Sequence, residues 1–418
     1  MYYNRVIEET IRDASFQFAC ITIYGPRQVG KSTVVNHVFG DSIPSVTLDD
    51  SDNLYLAKND PKMFLQELGW PLIIDEVQKA KELLPEIKIL IDEQKLKWLK
   101  NDEPIHLMFI LTGSSQFELQ EAVAESLAGR TAVINMSSFS LDEKQRVKGS
   151  FFDPDLDILK KKEADSIMPV LSRSEVFKEI FEGGMPELVS RKPTREIFFK
   201  SYVDTYMEKD VRKLISTGME FQFRNFLSYV ALRTAQEVNY DDISRGVGID
   251  VKTCKRWLSI LLTSGLIVML QPYMKNSSAR IVKSPKLYFM DTGLCAYLCG
   301  WPDPVMLEKG AMAGAFFETF VVSEIIKGFL KKEHEYRSTL FFFRTRNQKE
   351  IDLIYEKLGV IYPIEIKKGI EPSRPTKNFE ALAVFGKQVK TGLIICSTDR
   401  LKPVNRNAWY CPVALVSV

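Results

Sequence analysis

Short apolar runs alternate with amphipathic segments through the first third of the chain. Residues 18–24, 45–48, 71–74, 105–111 and 131–135 are apolar or β-branched enough for buried strands. Between and before them, residues 1–15, 31–39, 61–68, 83–99 and 118–127 carry the 3.6-residue rhythm of helices. Strands that are apolar on both faces and separated by helices predict a parallel sheet covered on both sides. The pattern then changes. Residues 142–200 are charged and irregular, with short helices, and read as a connector. Residues 201–270 are mostly helical, and 267–290 read as a β-hairpin. From residue 311 the order is helix, strands at 340–344, 351–355 and 360–366, helix at 376–385, and strand at 391–397. No internal repeat or low-complexity tract interrupts this order. It divides the chain into an α/β domain at 1–141, a charged connector at 142–200, a helical domain with a hairpin at 201–300, and a second α/β domain at 301–418.

Composition adds limits rather than a direction. A chain of 418 residues accommodates two to four domains at about 100–200 residues each. Apolar residues make up 45% and charged residues 26%, so more than one core can form. Net charge is only +2, and any surface for nucleic acid must be local. The cysteines (Cys20, Cys254, Cys295, Cys299, Cys396, Cys411) form no CxxC pair, and His37, His106 and His334 lie far from them in sequence, which argues against zinc. Scattered cysteines suit a reducing compartment. The N-terminus lacks an apolar signal core, and no apolar run approaches the roughly 18 residues of a membrane helix. A soluble, cytoplasmic protein with no membrane partner is expected.

The first candidate site follows the first predicted strand. Gly25, Pro26, Arg27, Gln28, Val29, Gly30, Lys31, Ser32 and Thr33 match GxxxxGKS/T. Such a loop turns backbone N–H groups inward around phosphates, and the next helix aims its N-terminus at the same anion. Lys31 would reach the β- and γ-phosphates of ATP, and the Ser32 hydroxyl would ligate Mg2+. The third strand ends in Asp75-Glu76: Asp75 would hold the Mg2+ shell and Glu76 would polarise the attacking water. The fourth ends in Thr112-Gly113-Ser114-Ser115, where Ser114 is placed to sense the γ-phosphate or simply to turn the chain. Arg130, in SLAGR, reads equally as an arginine finger or a surface residue. A finger acting from a neighbour would imply a homo-oligomer.

Residues 240–265 have the rhythm of a helix-turn-helix, with Gly248 at the turn, and a hairpin follows: a winged helix. Residues 251–290 hold seven basic side chains (Lys252, Lys255, Arg256, Lys275, Arg280, Lys283, Lys286) and no acid. Lys252, Lys255 and Arg256 on the second helix are candidates for DNA phosphates, against the alternative of packing between domains. In the last domain, Asp352 begins one strand of a hairpin while Glu365 and Lys367, two apart, share a face of the next. Two carboxylates beside an ammonium can hold a hard cation and orient a water for phosphodiester attack. Glu318, on the preceding helix, would add a ligand. The alternative is a salt-bridged trio with no metal. Arg344 and Arg346, just upstream, would meet phosphates or stay solvated.

GPRQVGKST, LIIDEVQ, LTGSSQ, SLAGR, SPKLYFMDTGL and the FFE, EIDLI and PIEIK series together resemble the prokaryotic AAA-type P-loop ATPases that carry a C-terminal domain of unknown function. That domain resembles the restriction-endonuclease-like, PD-(D/E)xK superfamily. The resemblance spans nearly the whole chain. It implies that Lys31, Ser32, Asp75 and Glu76 serve ATP and Mg2+, and that Glu318, Asp352, Glu365 and Lys367 form a nuclease-like quartet. Two functions stay open: an ATP-driven protein that binds or processes DNA, and an ATP-dependent switch whose nuclease-like domain is inert and binds a protein partner.

Overall fold

The computed structural model describes residues 2–417, apart from 115, 166–169, 275–283, 346, 348 and 374. The chain forms two compact units. One is Asn4–Ser137 with Leu330–Glu333, and the other holds the rest.

In the first unit, β1 (Cys20–Tyr24), β2 (Ser45–Thr47), β3 (Leu72–Asp75), β4 (Phe109–Thr112) and β5 (Thr131–Asn135) build a parallel sheet in the order β2-β3-β4-β1-β5. Successive residues of a strand point to opposite faces, and here both faces are buried. Cys20, Tyr24, Leu72, Ile74, Phe109 and Leu111 enter one apolar cluster, while Ile21, Ile23, Ile73 and Ile110 enter another. The helices α1 (Ile7–Ser15), α2 (Lys31–Phe39), α4 (Pro61–Leu68), α5 (Leu83–Asn101) and α6 (Gln116–Ser126) fall where the periodicity predicts. The addition is α3 (Ser51–Asn59), whose apolar content is low. Asp50 starts it by accepting from the backbone N–H groups of Asp52 and Asn53. Asp60 then caps α4, with Pro61 in its first turn. Arg5 ties the unit together: its guanidinium donates to the carbonyls of Val29 (3.2 Å) and Ser137 (2.9 Å).

In the second unit, residues 142–200 differ from the expected connector. They contain α8 (Leu156–Asp165), α9 (Arg173–Glu182), α10 (Pro186–Arg191) and the first half of α11 (Arg195–Tyr206), after the short α7 (Leu141–Gln145). Val176, Phe177, Ile180 and Phe181 of α9 and Phe198, Phe199 and Tyr202 of α11 are buried, so the charge occupies only the outer faces of packed helices. Arg195 lies 3.9 Å over the Phe181 ring and donates to the carbonyls of Phe181 and Gly293, pinning α11 to its neighbours.

Next come α12 (Glu220–Ala231), β6 (Gln236–Glu237), α13 (Tyr240–Val247), α14 (Val251–Thr263), β7 (Ile267–Leu270) and β8 (Lys286–Phe289). The three strands form an antiparallel sheet with β8 in the centre, β6-β8-β7. Trp257 of α14 packs edge-on against Phe223 and Phe226 of α12 at 5.0 and 5.3 Å.

The helix Ala313–Lys331 precedes a six-stranded mixed sheet of order β13-β14-β12-β11-β10-β9. Its strands are β9 (Leu340–Arg344), β10 (Glu350–Lys357), β11 (Val360–Ile366), β12 (Gly392–Cys396), β13 (Lys402–Asn405) and β14 (Ala408–Pro412). β10 pairs antiparallel with β9 and β11, while β11, β12 and β14 run parallel. The expected helix at 376–385 is a 3-10 segment, Phe379–Phe385.

Candidate functional site

The loop between β1 and α2 is shaped by its glycines. Gly25 has φ +148, and a Cβ there would lie 2.1 Å from the Met136 carbonyl oxygen; Gly30 is left-handed at φ +90. Lys31 is 7% exposed and its ammonium donates to the carbonyls of Gly25 and Pro26, both at 2.8 Å. The loop therefore curls around a charge able to meet a phosphate. Ser32 donates its hydroxyl hydrogen bond to Asp75 at 2.9 Å, and the Thr112 hydroxyl donates to the other Asp75 oxygen. These contacts join the loop to the ends of β3 and β4.

Glu76 takes a left-handed backbone, φ +58, uncommon for a residue with a side chain. One of its carboxylate oxygens accepts from the Ser114 hydroxyl at 2.8 Å and from the Gln78 amide. Gln78 is itself buried, and a Cβ on Gly113 would sit 2.1 Å from its amide oxygen, so only glycine leaves it this position. Ser114, expected at the γ-phosphate, thus serves as a hydrogen-bond donor to Glu76. Ser115 lies outside the described residues. Arg130 forms a bidentate pair with Asp92 of α5, 2.8 and 2.9 Å, which holds the Asp92 carboxyl below its usual range. A finger role would require Arg130 to leave that partner.

On α14, Lys252, Lys255 and Arg256 are exposed on one face, opposite the buried Cys254, Trp257, Leu258 and Leu261. The Lys255 ammonium sits 5.1 Å from the Tyr240 ring centre. Lys275, Arg280, Lys283 and Arg346 lie outside the described residues. Lys286 does not belong with the exposed basic side chains: it is 3% exposed and points into a carboxylate cluster. Arg344 is not simply solvated either, since it pairs with Glu237 at 2.6 Å.

That cluster contains the C-terminal quartet. The hairpin register places Leu353 opposite Ile364, which brings Asp352 beside Glu365. The Lys367 ammonium lies 2.7 Å from both carboxylates, so their bonded oxygens are within about twice that distance of each other. Asp352 also accepts from the Ile366 N–H at 2.8 Å. Glu365 is 4% exposed, and its second oxygen, Oε1, is buried with no hydrogen-bond partner. Burial, followed by the charge of Asp352, raises its carboxyl to about 8. Asp352 is also penalised by burial, but Lys367 and Lys286 outweigh this and hold its carboxyl below the ordinary range.

Glu318 stands differently from its expected role as third ligand. Its Oε1 accepts from Lys286 at 2.7 Å and from the Tyr288 hydroxyl at 2.8 Å. Lys286 also pairs with Glu350 at 2.6 Å. Burial raises the Glu318 carboxyl to about 7. Among the described residues no group of three or more His, Cys, Asp or Glu side chains is arranged to hold a metal. Glu318, Asp352 and Glu365 are gathered by two lysines rather than around one point. Tyr288, Gln78 and Arg5 were not among the expected functional residues, and Lys286 was expected only as one of the basic side chains of 251–290. The available sign for Lys286 was a lone charge at the head of the apolar run LYF, which a buried strand must pair.

Comparison with known proteins bears on the first of these sites. Residues 17–144 match the family described as AAA domain. With the phosphate loop, the Asp75-Glu76 strand end and the parallel sheet already in place, this decides the class of that domain. It is a P-loop ATPase domain of the AAA type. Residues 173–305 and 313–416 match two families described as domains of unknown function (DUF8612 and DUF4143). Uncharacterized proteins of Mycobacterium tuberculosis and Mycobacterium bovis are each 26% identical over 366 residues, covering 87% of this chain and 73% of theirs. Among solved structures, a Walker-type ATPase of Pyrococcus abyssi aligns at 14% identity with a TM-score of 0.44, over 71% of this chain and 96% of its own. The ORC2 protein of Aeropyrum pernix aligns at 13% identity and 0.30, over 68% and 87%. No helix among the described residues is long and apolar enough to cross a membrane.

Proposed function

We propose that the protein hydrolyses ATP with Mg2+ and couples that cycle to binding and processing DNA. The observation that carries the ATPase part is the hydrogen bond from Ser32 to Asp75, with Glu76 held beside it by Ser114 and Gln78. A hydroxyl and a carboxylate already in contact can both serve one octahedral cation, so the donor set fits Mg2+. Mg2+ held there would neutralise charge on the β- and γ-phosphates. Lys31 would bind the same phosphates, and Glu76 would orient the attacking water once freed from its two donors.

The DNA part rests on two features of the second unit. The order helix, strand, helix, helix, strand, strand, with the last strand central, supports a winged helix. Its α14 would be the recognition helix and Lys252, Lys255 and Arg256 its phosphate contacts. The order helix Glu318, hairpin Asp352, strand Glu365 and Lys367, then a parallel strand, supports a PD-(D/E)xK-like domain. The partnerless buried Oε1 of Glu365, close to Asp352, fits a divalent cation there. In that reading Asp352 and Glu365 would hold the metal, and Lys367 would stabilise charge on the attacked phosphate.

One observation favours a second reading for this domain, an ATP-dependent switch with an inert C-terminal site that binds a protein partner. Lys286 and Lys367 already supply cations to the carboxylates. Steady-state ATPase activity in Mg2+, with and without single- and double-stranded DNA, separates the two. DNA-stimulated turnover supports the first reading. Tight nucleotide retention with no response to DNA supports the second.

A further inference from the structure

The phosphate loop is anchored to the segment that follows β5. At the start of the loop, Gly25 lies so close to Met136 that a Cβ would come within 2.1 Å of its carbonyl oxygen. Near the end, one guanidinium nitrogen of Arg5 donates to the Val29 carbonyl at 3.2 Å and another donates to that of Ser137 at 2.9 Å. Arg5 is 5% exposed and Val29 is buried, so this contact lies on the protein side of the loop. Between these anchors Gln28 is left-handed at φ +59. That conformation costs a residue with a side chain and persists only where its surroundings hold it.

The Arg5 contact fixes more than a carbonyl. A peptide group is planar and trans, so the C=O of one residue and the N–H of the next point in opposite directions. The Val29 C=O is drawn to Arg5. The Gly30 N–H, in the same plane, is therefore turned away from Arg5 and toward the open side of the loop. Gly30 is half-buried and left-handed at φ +90, and among the described residues its N–H has no backbone acceptor. The carbonyls of Gly25 and Pro26 are treated in the opposite way and turn to the Lys31 ammonium. The loop thus satisfies its carbonyls within the protein and presents an N–H beside the first turn of α2, whose own N–H groups face the same space.

We propose that Arg5 is a positioning residue for the phosphate cradle: by holding the Val29 carbonyl it aims the Gly30 N–H at the β-phosphate of the nucleotide. This rests on the ATPase reading, in which the loop surrounds phosphates with backbone N–H groups. A nucleoside diphosphate and a triphosphate would be gripped alike, because both carry that phosphate. An N–H that meets the same oxygen before and during hydrolysis stabilises both states equally, so it sets KM and leaves kcat alone. Arg5 touches no reacting atom and acts only through the peptide it holds.

The test is calorimetric titration of the full-length protein in Mg2+ with ADP and with a non-hydrolysable ATP analogue, together with kcat and KM for ATP. Arg5→Met keeps an apolar stem and removes every donor. It is expected to weaken both nucleotides by about ten- to a hundredfold, the worth of one hydrogen bond to a charged group. KM for ATP should rise by a similar factor while kcat stays within about threefold. Arg5→Lys keeps the charge but not the fork that spans two carbonyls. It is expected to fall between the other two proteins, and it carries the test if Arg5→Met does not fold. Unchanged affinity with a lower stoichiometry or a lower kcat would overturn the proposal, because Arg5 would then only stabilise the fold. Equal affinity and equal kinetics in the variants and the unsubstituted protein would overturn it as well. So would loss of the ATP analogue with ADP spared, since the effect would then lie at the γ-phosphate. An unsubstituted protein that binds neither nucleotide would remove the ATPase reading, and the proposal with it.

Discussion

Replacing Glu365 with glutamine isolates the cost of a buried carboxylate that has a like-charged neighbour. Glu365 is 4% exposed and shares one ammonium with Asp352. Burial first, and Asp352 second, raise its carboxyl from 4.5 to about 8. The folded protein therefore keeps a proton that the unfolded chain has released. The stability that this proton contributes is fully present below about 4.5 and is lost progressively as pH rises to about 8. Within that window the loss runs at about 1.4 kcal/mol per pH unit for one group. Between about pH 5.5 and 7 it amounts to roughly 2 kcal/mol. Glutamine has the same shape and no charge to lose. Glu365→Gln should accordingly gain on the unsubstituted protein by about that amount over the interval, whatever the offset between them at low pH. Hydrogen exchange of the β10–β12 amides reads local opening and is the appropriate assay in a chain of several domains. A stability gap that is the same at both pH values would mean that Glu365 is ionised throughout, and the reasoning would fail. Added Mn2+ at pH 7 should recover part of the loss in the unsubstituted protein only, since the glutamine lacks the second anionic ligand.

Four further outcomes are expected. Lys31→Ala should abolish ATP binding in a calorimetric titration, whereas Glu76→Gln should retain it and slow turnover by roughly 10²–10⁴, the usual worth of a positioned base; equal loss of binding in both would show Glu76 misassigned. Gly113→Ala should displace Gln78 and lower turnover while ATP affinity stays within a few-fold, and unchanged turnover would mean that Gln78 is irrelevant to Glu76. Reversing charge at Lys252, Lys255 and Arg256 to Glu should weaken DNA binding and flatten the log–log salt dependence by roughly two to three, given about 0.9 per phosphate contact; an unchanged slope points to a packing helix. Asp352→Ala or Lys367→Ala should stop Mg2+- or Mn2+-dependent nicking of DNA while ATPase activity persists, and a protein that nicks nothing under either metal has an inert site.

Much of the fold was legible because local signals and burial agreed. The helix Lys31–Phe39 follows a glycine loop, Pro61–Leu68 has an Asp cap and a first-turn proline, and residues 340–343 and 360–364 are mostly apolar stretches. Where they disagreed, reading failed. α3 has one buried residue, Ala57, and is held by its cap rather than by an apolar stripe. β13 is four residues with Pro403 in it, confined to an edge where a missing N–H does no harm. Residues 142–200 read as a connector because their charge density hides the buried faces of α9 and α11. The phosphate-loop motif stood out because phosphate binding imposes a contiguous pattern, and the structure adds the contacts of Ser32 and Thr112 with Asp75. The C-terminal site was legible only in its acids. Its second lysine arrives from another part of the chain, and no local spacing announces a contact between residues 286 and 318.

Arg5 has a practical consequence for dissecting the protein. Its guanidinium joins Val29, inside the phosphate loop, to Ser137, where the chain leaves the ATPase domain. The AAA match spans 17–144 and so starts after Arg5 and after α1. A fragment trimmed to that span would keep every motif residue and still lose the brace on the loop that displays them. The donors lost to two carbonyls are worth about 1–3 kcal/mol each if left unreplaced, and Ile7 and Ile11 would go with them from the core. An isolated ATPase domain should therefore begin no later than Asn4. Inactivity of a shorter piece would measure the cut rather than the enzyme.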